Sequence, residues 1–142
     1  MQNSLNWRAR MKEKYMSFGD YIRKKRLADL RKLTMSDVAK HLNISVSYVS
    51  AVENRNKRAF DGEMLAKLAK FLKLTEEETA LMYDLAGREN HNVPYDIEDT
   101  FLYEEVGDLI RYATRQTKAG FIKEEDWRTF IRLKEEEKKK RQ

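Results

Sequence analysis

Along this chain Met64, Leu65, Leu68, Phe71 and Leu72 recur at three- and four-residue spacing, and the same spacing elsewhere predicts helices from end to end. Ser17 with Asp20 offers a cap for a first helix over about 18–31, with Phe18, Ile22, Leu27 and Leu30 along one side. Thr34 can cap a short second helix, Met35 to Leu42, that turns Val38, Ala39 and Leu42 inward, and Asn43 breaks it. Ser45 caps a third helix ending near Asn54, and Asp61 caps the fourth, which carries the run quoted first. Thr75 followed by Glu78 forms a capping box for a fifth helix through Leu81, Met82 and Leu85, which Gly87 can close.

The segment RENHNVPYD, Arg88 to Asp96, is polar, holds the one proline and reads as a linker or tight corner. Beyond it two or three more helices are expected, one striped by Leu102, Val106, Leu109, Ile110 and Ala113, another by Trp127, Phe130 and Ile131 after a break at Gly120. The closing EEEKKKRQ sets acids three to four residues ahead of bases, the pattern of a solvated helix end.

Composition agrees with an all-α chain: 142 residues with 5 Gly, 1 Pro and abundant Leu, Ala, Lys and Glu. No cysteine is present, so neither a disulfide framework nor a thiolate metal site is available, and a cytoplasmic location is expected. His41 and His91 stand far apart with no ligand partner at metal spacing, so no metal and no cofactor are assigned. No apolar run approaches the roughly 18 to 20 residues of a membrane span, and the N-terminus lacks the apolar stretch of a signal peptide. A nucleophile beside a base and a glycine-rich phosphate loop are both missing, so no catalytic residue is assigned and an enzyme is not expected.

Charge is unevenly spread. Residues 1–58 hold 14 Lys or Arg against 5 Asp or Glu, a net of +9, whereas residues 59–142 hold 15 against 19, a net of −4. A polyanion partner for the first half would account for this, because each phosphate neutralised releases condensed counterions.

The stretch ISVSYVSAVENRNKRAF sharpens that expectation. In a chain with 37% charged residues, Ile44 to Val52 carry no charge, and Glu53, Arg55, Lys57 and Arg58 follow at once. The second and third helices are separated by only Asn43 and Ile44, so the corner needs a left-handed residue, which Asn tolerates best after Gly. Ala39 is small enough to let the two helices approach. On a wheel of about 100° per residue, Tyr48, Val49 and Val52 share a core sector. Ser47, Ser50, Ala51 and Asn54 lie opposite, with Val46 and Glu53 at the borders. An exposed face that is small and uncharged, followed by cations, fits a helix lying in the DNA major groove between phosphates.

At these residues the chain resembles the lambda-repressor-like (Cro/repressor, or Xre-type) helix-turn-helix regulators. LTMSDVAKHLNISVSYVSAVEN follows that family's Leu-Thr-x-x-x-Val-Ala, turn, Ser-x-Ser-Tyr-Val-Ser-x-Val-Glu-Asn arrangement. FGDYIRKKR before it and LMYDLAGREN with VPYDIEDTF after it look like a subgroup common in Gram-positive bacteria and their mobile elements. The resemblance runs from about Ser17 to Leu133. It implies a five-helix DNA-binding domain followed by a C-terminal helical extension.

By position, the resemblance implies base contacts at Ser45, Val46, Ser47, Ser50 and Ala51, and phosphate contacts at Asn54, Asn56, Lys57 and Arg58. It also implies a buried ion pair of Arg26 with Glu53, which makes Glu53 structural. Three positions depart from the pattern. Met35 stands where Gln usually contacts a phosphate, Asn43 replaces the common Gly, and LADLRK between Arg26 and Leu33 is two residues longer than usual.

The expected organisation is a basic extension at 1–16, a DNA-binding domain at 17–90 and a C-terminal helical segment at 91–142 for dimerisation or partner contact. Either translation begins at Met16, or MQNSLNWRARMKEKYM is an arm whose Arg8, Arg10, Lys12 and Lys14 can touch DNA; a flexible extension is the expectation. The function expected is a sequence-specific, double-stranded DNA-binding transcriptional regulator, a repressor working as a homodimer on an operator. The alternative is an antitoxin-like interaction protein that binds a protein partner through its C-terminal half and autoregulates through the other.

Overall fold

The computed structural model describes residues 12–142, and Arg8 and Arg10 of the N-terminal arm lie outside the described residues. After a helical turn at 12–14 come α1 (Phe18–Ala28), α2 (Met35–Leu42), α3 (Val46–Glu53), α4 (Gly62–Phe71) and α5 (Glu76–Asn90). A 3-10 turn (Tyr95–Ile97) leads to α6 (Glu98–Tyr103), α7 (Glu105–Lys118) and α8 (Glu124–Lys140). The fold is all-α, with no strand among the described residues. Two compact units divide it, one running through Ile97 and the other from Glu98 to Gln142.

Local side chains start these helices. Ser17 Oγ accepts from the Asp20 amide at 3.1 Å, and reciprocal boxes join Thr34 with Asp37 and Thr75 with Glu78. These satisfy backbone N–H groups that have no partner within the helix. Asp61 occupies the N-cap position of α4, but its side chain makes no capping hydrogen bond.

Two helix ends differ from the sequence expectation. The first helix stops at Ala28, because the Asp29 carboxylate accepts from both the amide and Nε of Arg31 at 2.9 Å and folds the chain into a turn that Lys32 completes at φ 56°. Leu27 and Leu30 therefore do not join Phe18 and Ile22 in the core; Leu30 is 97% exposed, and Tyr21 and Arg26 take the inner positions. Leu27 is nine residues from Phe18, about half a turn away on the wheel. The fifth helix runs through Gly87 to Asn90 and ends where His91 turns left-handed at φ 56°. Gly87 serves close approach instead of termination: a Cβ there would meet the Asn92 carbonyl at 3.0 Å and the Pro94 ring at 3.1 Å.

The core of the first unit gathers Phe18, Tyr21 and Ile22 from α1, Val38 and Leu42 from α2, and Val49 and Val52 from α3. Leu65 and Leu68 of α4, Met82 and Leu85 of α5, and Phe60 complete it. Phe60 meets Phe18 edge to face at 5.8 Å. Each such side chain, fully buried, contributes roughly 1.5–3 kcal/mol. Gly19 lets α1 lie directly on the end of α3, since a Cβ would stand 2.2 Å from the Val52 carbonyl oxygen.

Residues 12–16 pack on this unit. Glu13 is ion-paired to Lys25 at 3.2 Å, Arg88 Nη1 donates to the Lys14 carbonyl at 2.9 Å, and Met16 touches the core.

In the second unit Gly107 is the one buried residue. It sits where α7 leaves α6, its Cα against the Thr100 and Phe101 carbonyls, and Arg111 also donates to the Phe101 carbonyl. Trp127 Nε1 donates to Thr117 Oγ1 at 2.8 Å and ties α8 to α7.

Candidate nucleic-acid interface

The corner between α2 and α3 is made by Asn43, left-handed at φ 57°, ψ 48°. Its amide donates to the Lys40 carbonyl at 3.3 Å, and the Ile44 amide returns to Ala39 at 3.0 Å. Ser45 then opens α3, its Oγ accepting from the Tyr48 amide at 3.1 Å. Three residues, Asn43, Ile44 and Ser45, thus carry the chain from the end of one helix into the next, and they fix the angle at which α3 is presented.

Around α3 the inner arc is Val49, Val52 and Glu53, all buried, with Tyr48 half-buried at its edge. The outer arc runs from Val46 through Ser50, Asn54 and Ser47 to Ala51, with Val46 46% exposed. The helix carries no charge on that arc. Glu53 is its one carboxylate, 2% exposed, and it faces Arg26 in a bidentate pair: Nε to Oε2 and Nη2 to Oε1, both 2.9 Å. Arg26 Nη1 also donates to the Leu33 carbonyl at 3.0 Å, which joins the lengthened α1–α2 connection to the same pair. The hydrogen bonds it donates to Glu53 raise the Arg26 pKa above its ordinary value, against the opposing effect of burial. The pair links α1 to α3 and removes the negative charge of α3 from its surface.

The cations after α3 are held by the helix end. The Arg55 residue is left-handed at φ 64°, and the Asn56 and Lys57 amides both donate to the Ala51 carbonyl, at 2.7 and 3.1 Å. Lys57 Nζ lies 4.6 Å above the Tyr48 ring, which in turn packs on Phe60 at 5.5 Å. A cation over an aromatic face is attracted by the ring quadrupole, so Lys57 is steadied beside α3 while remaining exposed. Arg55, Lys57 and Arg58 are not ion-paired among the described residues.

Val46, Ser47, Ser50, Ala51 and Asn54 share the outer arc of α3, Ser45 caps its start, and the exposed Asn56, Lys57 and Arg58 follow directly after its end. Some polar atoms in this set are already engaged. Ser45 Oγ lies 3.1 Å from Ser47 Oγ, and Asn54 Nδ2 donates to Ser50 Oγ at 3.2 Å. Sequence reasoning had no sign of the Lys57–Tyr48 stack, although the nine-residue separation of the two around a helix end could have raised it. Met35, at the start of α2, packs against the core, while Asp37 beside it is held below the usual carboxylate range by the Thr34 amide.

His41 stacks on Phe71 at 4.3 Å with Arg31 over the same ring at 5.1 Å, and His91 ends α5. Among the described residues no group of three His, Cys, Asp or Glu is placed to hold a metal ion, and no helix is long and apolar enough to cross a membrane.

Five packed helices, with the third presenting a bare face from a tight corner, define a helix-turn-helix DNA-binding domain. Residues 22–78 match the family model described as Helix-turn-helix, and over this stretch the chain is similar to the Xre-type, lambda-repressor-like DNA-binding regulators. Comparison with curated proteins and with solved structures returned no match. Double-stranded DNA is the partner the family implies.

Proposed function

We propose that the protein is a transcriptional repressor that sets α3 in the major groove of a specific double-stranded operator and binds it as a homodimer. The observation that carries this reading is the uncharged outer arc of α3, cleared of its one carboxylate by Arg26 and bordered by Arg55, Lys57 and Arg58. A helix entering the groove must come within contact distance of base edges, and a bulky or charged face would hold it out. In this reading Ser45, Val46, Ser47, Ser50 and Ala51 meet bases, and Asn54, Asn56, Lys57 and Arg58 hold phosphates. Lys57→Ala or Arg58→Ala then weakens binding to every duplex and lowers the slope of log affinity against log salt by about 1. Ser47→Ala instead shifts site preference. An affinity that stays constant between low and high salt contradicts the reading.

Residues 17–90 carry DNA binding in this account, and the helices beyond carry self-association. Support comes from Leu109, Tyr112, Phe121, Phe130 and Ile131, which α7, α8 and their connection leave exposed. A second copy covering them would also set two recognition helices on two half-sites, multiplying the few base pairs one helix can read. Sedimentation of Leu109→Glu or Phe130→Glu is expected to give monomers from a dimeric parent. A parent that sediments as a monomer, or co-purifies with a stoichiometric second protein, favours instead the antitoxin-like interaction protein, with the same surface given to that partner.

A further inference from the structure

We infer that α3 reads the C5-methyl groups of pyrimidines, so that thymine and 5-methylcytosine are equivalent to this protein. The inference rests on the placement of α3 in the major groove proposed above and names what it recognises there. The outer arc offers no Arg, Lys or Gln, the side chains that pair bidentately with O6 and N7 of guanine or N6 and N7 of adenine. Its one amide, Asn54, donates from Nδ2 to Ser50 Oγ at 3.2 Å and stands at the C-terminal end of the helix, where the reading above gives it to a phosphate. Ser45 Oγ accepts the Tyr48 amide and lies 3.1 Å from Ser47 Oγ, so the hydroxyls of the first turn are partly engaged, and a single hydroxyl cannot pair bidentately with a purine.

Two apolar groups flank the exposed Ser47 and Asn54 on this arc. The Val46 isopropyl group, 46% exposed, stands at one edge of the arc, and the Ala51 methyl stands at the other. They lie five positions apart, about 7.5 Å along the helix axis. In the major groove the one base feature that an apolar side chain recognises is the methyl on pyrimidine C5. Thymine carries it in every T·A pair. A 5-methylcytosine carries the same group at the same ring position in a pair with guanine. A surface that reads the methyl and makes no bidentate contact to the purine accepts both and rejects their unmethylated counterparts, uracil and cytosine.

The test uses the full-length protein and an operator taken from the genomic fragments it retains. Each thymine is replaced in turn by deoxyuridine, by 5-methylcytosine paired with guanine, and by cytosine paired with guanine, and the dissociation constant is measured. At one or more thymines the account expects deoxyuridine and cytosine to weaken binding about 4-fold, the weight of one methyl-sized group removed from water. At those positions 5-methylcytosine binds within about 2-fold of thymine on the same scale. Val46→Ala is expected to shrink the thymine-to-uracil difference at one of these positions toward none. Deoxyuridine binding as well as thymine everywhere overturns the inference, as does 5-methylcytosine binding no better than cytosine where uracil is weak. Either result leaves the salt-dependent affinity for the unmodified operator intact. Failure to retain any duplex at low salt removes the groove placement itself, and the inference with it.

Discussion

Phe60, 1% exposed between Phe18 and Tyr48, and Phe130, 53% exposed on α8, are the same side chain in two settings. The first belongs to a unit whose apolar residues close on one another around a shared core. The second belongs to a unit of three helices in which only Gly107 is buried, and Phe121 beside α7 is 83% exposed. Helix formation alone does not distinguish them, because both units have amphipathic helices and well-formed turns. What differs is where the apolar stripes end up. In α1 to α5 short corners containing Lys32, Asn43, Arg55 and Lys73, each left-handed, fold the helices back so that their stripes meet. In α6 to α8 the stripes remain open, as they would if their complement were supplied by another chain.

The largest effects are expected in the first unit. Phe60→Ala is expected to lower the unfolding free energy of the chain by about 3–5 kcal/mol in a urea titration, with Phe130→Ala changing it by less than about 0.5 kcal/mol at a concentration where the chain is monomeric. Equal effects would place the two phenylalanines in equivalent cores. Arg26→Ala strands a buried carboxylate at Glu53, and a cost of about 3–5 kcal/mol is expected by the same titration. A loss under about 1 kcal/mol there would mean that the pair neither links α1 to α3 nor shields that charge.

A smaller effect is expected at Gly19. Its added Cβ meets backbone, not a movable side chain, so Gly19→Ala should force α1 from α3 and lower stability by about 1–3 kcal/mol, read from the thermal midpoint. An unchanged midpoint would show that the two helices have room to spare.

The smallest effect is a pH dependence. Hydrogen bonds from the Arg31 side chain and amide hold the Asp29 carboxyl down to about 2, below the ordinary carboxylate value. A carboxyl depressed in the folded state stabilises above its ordinary pKa, and that contribution disappears as pH falls through the folded value. Stability of the parent should therefore decline more steeply than that of Asp29→Asn between about pH 4 and 2. Parallel curves would show that the turn after α1 gains nothing from the charge.

The parts of this fold legible in the sequence are those fixed by neighbours along the chain. Thr34 and Thr75 cap helices through residues three positions on, and Asn43 is left-handed because the corner allows little else. The parts that were not legible depend on partners distant in sequence or on competing side chains. Leu27 and Leu30 look like a continued stripe until Arg31 closes on Asp29 and ends the helix. Gly87 looks like a stop until Pro94 is found against it. For the site, the bare face of α3 and the cations after it are visible as letters. The ties between Ser45 and Ser47 and between Asn54 and Ser50, on the arc that Val46 and Ala51 flank, are matters of geometry that spacing does not encode.

Nuclease footprinting of the full-length protein on the genomic fragments it selects tests the central claim most directly. The account predicts a palindromic protected region with half-site centres one helical turn apart, about 10 base pairs, or a multiple of it, with α3 of each copy in successive major grooves. Protection that is asymmetric and has no repeated half-site, or that falls on unrelated sequences equally, would contradict it.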